Sequence, residues 1–206
     1  MRGRFITFEG GEGAGKSTMI RRSRVWFEEQ GIKVLQTREP GGTELAEKIR
    51  EIVLGKEYSN LCATAELLLV FASRAQHLEE LIRPALEEGT DVLCDRFTDA
   101  TWAYQGAGRG MPEEMIETLE NAVHGDLQPD LTLLLDLPVK LGMERVSGRG
   151  ESDRIEQESL DFFDRVRRNY LERAATNDRF VVIDASRDEQ AVWNQIERVL
   201  NARYLE

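Results

Sequence analysis

Apolar residues fall along this chain in short runs that alternate with longer stretches of helical spacing. Phe5-Ile6-Thr7-Phe8 reads as a strand, followed by glycines and a helical run from Ser17 to about Gln30, which Gly31 ends. Lys33 to Thr37 reads as a second strand. Thr43 to Leu54 has helical periodicity, with Leu45, Ile49, Ile52 and Val53 assigned to one face. A long helical stretch from about Ala63 to Glu88 follows, with Pro84 expected to kink or break it and Gly89 closing it. Asp91 to Asp95, Leu131 to Asp136 and Phe180 to Asp184 read as further strands, and Glu189 to Tyr204 as a last amphipathic helix. The continuous apolar run at Leu131–Asp136 suits a strand covered on both faces.

Such alternation of strand and helix predicts an α/β fold: a parallel sheet of about five strands covered by helices on both faces. The length of 206 residues suits one domain spanning 1–206. The polar Gly- and Arg-rich segment from Ser147 to Arg154 reads as a mobile loop between two helices. On sheets of this kind ligands sit at the carboxyl ends of the strands, so the residues just after each strand carry the candidate chemistry.

After the first strand stands Gly10-Gly11-Glu12-Gly13-Ala14-Gly15-Lys16-Ser17, which fits G-x-x-x-x-G-K-[ST]. The glycines let backbone N–H groups wrap an anion, and the next helix presents its N-terminus to the same charge. Lys16 is placed to reach the β- and γ-phosphates of a nucleoside triphosphate, and Ser17 to ligate Mg²⁺. The fold expectation thereby sharpens to a P-loop NTPase-type sheet. After the second strand comes Thr37-Arg38-Glu39-Pro40-Gly41-Gly42-Thr43, and after the third Asp95-Arg96-Phe97. Arg38 and Arg96 thus share a rim with the P-loop, where two guanidinium groups can clamp a phosphate monoester. Asp95 occupies a position from which a carboxylate holds Mg²⁺ through water.

Charge and cysteines narrow the classes. Lys and Arg total 27 against 38 Asp and Glu, a net charge of −11, which disfavours nucleic-acid binding. Positive charge used on phosphates must therefore be local. Cys62 and Cys94 have no metal or disulfide spacing and are expected as buried thiols in a reducing compartment. Leu67 to Ala72, the longest apolar stretch, is far too short to span a bilayer. With no apolar signal core at the N-terminus, the expected location is the cytoplasm.

Several segments together resemble the bacterial thymidylate kinases, over essentially the whole chain. They are Phe8-Glu9-Gly10 with the P-loop, Thr37 to Thr43, Phe71-Ala72-Ser73-Arg74, Asp95-Arg96-Phe97, Ala103-Tyr104-Gln105-Gly106 and Asp153-Arg154-Ile155-Glu156. The resemblance implies an ATP-dependent dTMP kinase that gives dTDP for dTTP biosynthesis, with Mg²⁺, as a homodimer. It implies that Arg38 and Arg96 hold the dTMP phosphate, that Phe71 stacks on thymine, and that Arg74 donates to its O4. Thr101 stands where the family reads N3, with Gln105 nearby. Tyr104 stands where an aromatic ring crowds the sugar 2′ position, and Glu9 near the sugar and metal. Glu12 puts a carboxylate where some members carry a catalytic arginine. That implies a lid, about residues 147–156, that supplies Arg149 or Arg154, with Arg154 favoured. Ala185-Ser186 is a candidate contact for adenine. Ala100 and Trp102 depart from the family's usual residues beside the base site.

Two other classes stay open. One is a P-loop kinase for another nucleoside monophosphate or a nucleoside; a nucleoside kinase would not need two arginines for an acceptor phosphate. The other is a nucleotide-gated binding module, although no N-K-x-D motif occurs.

Overall fold

The computed structural model describes residues 2–148 and 153–205. Five strands, β1 (Phe5–Glu9), β2 (Val34–Arg38), β3 (Asp91–Asp95), β4 (Leu131–Asp136) and β5 (Phe180–Asp184), form one sheet in the order β2-β3-β1-β4-β5. Every pairing is parallel. Three of these strands have the expected ends, and the other two lie within one residue of them.

Side chains alternate across the sheet, which separates two cores. Ile6, Phe8, Leu93, Leu133, Leu135 and Ile183 pack on one face against α1 (Lys16–Glu29) and α9 (Glu189–Tyr204). On the other face Phe5, Val92 and Cys94 meet Leu78, Ile82 and Leu86. Beside them Leu134 and Phe180 pack against Phe162, Phe163, Val166 and Tyr170 of α8 (Leu160–Ala175). Helices therefore cover both faces, as the pattern implied.

Local features of three segments differ from expectation. The stretch from Ala63 consists of α3 (Ala63–His77), one widened turn at Leu78–Ile82 and α4 (Arg83–Glu87). The helix is interrupted by that π-type turn, and Pro84 lies in the first turn of α4, where its missing N–H costs nothing. In α2 (Glu44–Leu54), Leu45 is 51% exposed, and the buried positions are Ala46 and Val53, with Ile49 half-buried beside them. Cys62 is exposed, not buried, because it lies just outside the start of α3; Cys94 is buried in β3.

Between β3 and β5 lie elements that the periodicity did not delimit. They are α5 (Thr98–Thr101), continued by π-type turns over Trp102–Gly108, then α6 (Glu113–Val123), α7 (Val139–Ser147) and α8. No described helix is long and apolar enough to cross a membrane.

Register positions the rim. Phe8 pairs with Asp95 and Asp95 with Arg38, so the P-loop, the loop after Arg38 and the turn at Arg96 leave the sheet at one level.

Candidate active site

The P-loop is shaped by close backbone packing. A Cβ on Gly13 would lie 2.1 Å from Gly142 O, and one on Gly142 would lie 2.3 Å from Glu12 O. Only two glycines allow α7 to sit this close to the loop. Lys16 curls back over it, with Nζ donating to Gly10 O and Gly11 O at 3.0 Å each. Burial, and then the neighbouring Arg96 charge, push the Lys16 ammonium below its ordinary pKa.

Across the rim, Arg96 takes a left-handed backbone, φ 69°, an uncommon conformation for a residue with a side chain. Two bonds hold the turn: Arg96 N–H donates to Phe8 O at 3.0 Å, and Phe97 N–H to Glu9 Oε1 at 2.7 Å. The Arg96 guanidinium then donates to Gly10 O at 2.9 Å and Glu12 Oε1 at 2.7 Å, and lies 4.7 Å from the Tyr104 ring centre. Burial alone would raise the Glu12 carboxyl, but Arg96 and Lys16 outweigh it and hold the group below the usual carboxylate range. The Tyr104 hydroxyl also donates to Glu12 Oε1, at 2.7 Å.

Two adjoining cavities open beside this turn. A polar cleft is lined by Glu12, Gly13, Ala14, Gly15, Lys16 and Ser17 of the P-loop, and by Arg38, Asp95, Arg96, Asp153 and Glu156. A more apolar cavity is walled by Val53, Leu54, Val70, Phe97, Ala100, Tyr104 and Ile155, with Arg74, Thr101 and Gln105 as polar members. Glu12, Glu39, Arg50, Arg96 and Asp153 line both.

Arg74 is fixed in the second cavity. Its Nε donates to Glu39 Oε2 at 2.7 Å, and its Nη2 to Phe97 O at 3.1 Å and Thr101 Oγ1 at 3.0 Å. Its Nη1 is buried without a partner among the described residues. A buried donor left without an acceptor is costly.

The structure thus brings together Lys16, Ser17, Arg38, Asp95 and Arg96 on the cleft, and Arg74, Thr101, Tyr104 and Gln105 on the cavity. Arg38 reaches the cleft while paired with Glu47 at 2.7 Å. Gly10 and Gly11 turn their carbonyls to Lys16 and border a small recess under the loop with Leu135 and Tyr170.

Three candidates stand elsewhere. Phe71 does not line the cavity. It packs with Leu67, Trp102 and Ile116, because α3 turns Val70 and Arg74, one helical turn apart, toward the cavity and carries Phe71 past it. Trp102 lies in the same cluster, whereas Ala100 lines the cavity. Glu9 lines neither space: Oε1 accepts from Phe97 N and Oε2 from the Tyr170 hydroxyl at 2.7 Å, so it braces the Arg96 turn. Burial, then repulsion from Asp99, raises its pKa to about 8. Arg154 is buried away from the cleft on Glu66 and Val53. Arg149 lies outside the described residues, as does most of the lid segment's tip.

Arg50, on α2, was not among the residues singled out from the sequence. It lines both cavities and donates to Pro40 O at 2.9 Å. Burial and the nearby Arg38 charge lower its pKa, which marks a crowd of cations on the rim. No local pattern marks it, since the Arg38–Glu47 pair beside it exists only in the fold.

The chain is similar to known proteins over most of its length. The family model described as thymidylate kinase matches residues 8–196. The thymidylate kinase of Neisseria meningitidis serogroup B is 53% identical, over 99% of each chain. That of Pseudomonas syringae pv. tomato is 55% identical, over 97% of this chain and 96% of its own. That of Pseudomonas syringae pv. syringae is 57% identical, over 90% of this chain and 89% of its own.

Proposed function

Because the chain belongs to the thymidylate kinase family, we propose that the wall shared by its two cavities is where donor and acceptor phosphates meet. The enzyme transfers the γ-phosphoryl group of ATP to dTMP, giving dTDP and ADP. One observation carries the assignment of parts: Glu12, Glu39, Arg50, Arg96 and Asp153 face both the P-loop cleft and the apolar cavity. A nucleotide in each would have its phosphates end to end.

In this reading the P-loop amides of residues 10–15 and the N-terminus of α1 hold the ATP phosphates. Lys16 exchanges the carbonyls of Gly10 and Gly11 for phosphate oxygens. Arg38 and Arg96, with Arg50, hold the dTMP phosphate. Their guanidinium groups are kept in place by Glu47, Glu12 and Pro40 O until an anion competes for them. The thymine ring lies between Val70 and Phe97, with Arg74 Nη1 donating to its O4 and Thr101 and Gln105 beside N3. Tyr104 crowds the sugar.

Ser17 and Asp95 offer hard oxygen donors on the same cleft, suited to Mg²⁺ arriving with ATP, whose charge would lower the repulsion between the two substrates. A loose transition state spreads charge over the phosphoryl oxygens, and Lys16 and Arg96 are the described cations best placed to meet it. Arg149 is the arginine of the lid segment assigned to the same charge. Adenine fits the groove bounded by Gly15, Thr18, Arg145, Ala185 and Arg187. There Arg145 ties the end of β5 by donating to Ala185 O at 2.9 Å and Ser186 O at 3.3 Å. The free thiols Cys62 and Cys94 suit work in the cytoplasm, and the family resemblance suits a homodimer.

A panel of dTMP, dUMP, dCMP, AMP and thymidine with ATP and Mg²⁺ tests the reading. ADP release should depend on dTMP above the others. Equal turnover of dCMP would remove Arg74 as the base reader, and turnover of thymidine would remove the phosphate clamp.

A further inference from the structure

Arg154 stands between cavity-lining residues in the sequence but lines no cavity itself. Its backbone N–H donates to Leu54 O at 3.1 Å, its Nε to Val53 O at 2.9 Å, and its Nη2 to Glu66 Oε2 at 2.6 Å. The residue is 9% exposed and lines neither cavity. Its neighbours do line them. Asp153 and Ile155 wall the acceptor cavity, and Asp153 and Glu156 border the phosphate cleft. The turn that presents them is stiff, because Asp153 Oδ1 accepts from the N–H groups of Ile155 and Glu156 at 2.8 Å each.

The receiving group is as specific as the donor. Glu66 is fully buried at the start of α3. Its Oε2 holds Arg154, while its Oε1 accepts from Gln105 Nε2 at 2.8 Å. Arg109 supplies a second cation at 3.3 Å. One carboxylate therefore joins three segments that meet at the acceptor cavity: α3, the turns at Trp102–Gly108 and the turn at residues 153–156.

We infer that Arg154 is a positioning residue for the acceptor nucleotide: its ion pair with Glu66 pegs the 153–156 turn to α3 and so sets Asp153, Ile155 and Gln105 around dTMP. The inference rests on the reading of the apolar cavity as the dTMP site. It differs from a catalytic role in its kinetic signature. A residue that contacts the transferring phosphoryl group lowers kcat, whereas one that shapes the acceptor pocket weakens dTMP binding with or without ATP.

The test compares Arg154→Ala, Arg154→Lys, Glu66→Gln and the Arg154→Ala/Glu66→Gln double variant. For each, steady-state kinetics for both substrates, calorimetric dTMP binding without ATP, and thermal unfolding are measured. Arg154→Ala should raise KM for dTMP and the dTMP dissociation constant together, by about tenfold, with KM for ATP held and kcat changed far less. Lysine should restore part of the loss. The double variant should be no worse than the poorer single one, since both act through one contact. A fall in kcat of about 10²-fold with dTMP affinity intact overturns the inference in favour of direct catalysis. Unchanged dTMP affinity and kcat overturn it outright. Should Arg154→Ala unfold, Arg154→Lys decides by the same two readouts. Arg74→Ala separates the peg from the pocket. If it leaves KM for dTMP unmoved while Arg154→Ala raises it, the pocket reading fails; the reverse pattern removes the peg alone.

Discussion

Arg74 Nε lies 2.7 Å from Glu39 Oε2, and the two side chains are 1% and 3% exposed. The Glu39 carboxyl would be raised by burial, but Arg74 and the hydrogen bond from His77 hold it below its ordinary range. His77 is in turn fixed by Thr37 Oγ1, 2.7 Å from Nε2. A charge network thus anchors the loop after β2 to the apolar cavity. Removing one partner leaves the other charge buried alone, so Arg74→Ala should cost about 3–5 kcal/mol of stability as well as weakening dTMP binding. Denaturant unfolding and KM for dTMP check both. A variant as stable as the parent would mean that Glu39 carries no charge at rest.

Lys16 makes its contacts to backbone carbonyls, not to other elements, so the fold does not lean on it. Lys16→Ala should therefore unfold within a few degrees of the parent yet lose about 10³-fold in kcat, because a preorganised cation is lost where charge develops. Melting curves beside dTMP-dependent ADP release make the comparison. Retained turnover would contradict the phosphate role of the P-loop.

Glu9 should leave a signature in pH. Its folded pKa of about 8 stands above the ordinary 4.5, so the folded state holds this proton more tightly than the unfolded chain does. The contribution is complete below pH 4.5 and is lost as pH rises through about 8. Glu9→Gln mimics the protonated form and keeps bonds to Phe97 and Tyr170. The stability of parent minus variant should then fall with pH across that window, by at most about 1.4 kcal/mol per pH unit. Denaturant titrations at pH 5 and pH 8 measure it, and a flat difference would show an ionised Glu9.

Phe71 offers a sharper contest between a core ring and a stacking platform. Since its side chain packs on Leu67, Trp102 and Ile116, Phe71→Leu should cost about 1 kcal/mol of stability and move KM for dTMP less than threefold. A tenfold rise in KM at parental stability would restore the platform.

Most of the architecture is legible in the sequence, because runs such as Leu131–Asp136 and the glycine–lysine loop follow from local rules: period, backbone freedom and covalent spacing. A strand buried on both faces must be apolar throughout, and an anion cradle must spare its side chains. Arg38 and Arg96 followed from their places just after strand ends, whereas Arg74 and Tyr104 came only from the resemblance to thymidylate kinases. What failed was facing. Val70 and Phe71 are adjacent and both apolar, and only the packing of α3 against the turns at Trp102–Gly108 decides which one meets the cavity.

The sequence by itself determined that a parallel α/β sheet would carry a phosphate loop beside two arginines on one rim, since neighbours in the chain cannot be far apart in space. The tertiary structure alone decided which charge meets which. Glu66 and Arg154 are 88 positions apart, and Glu39 and Arg74 are 35 apart. No local pattern records such pairs. They arise when burial strips water from a charge and leaves it to the partner that the fold has brought within reach.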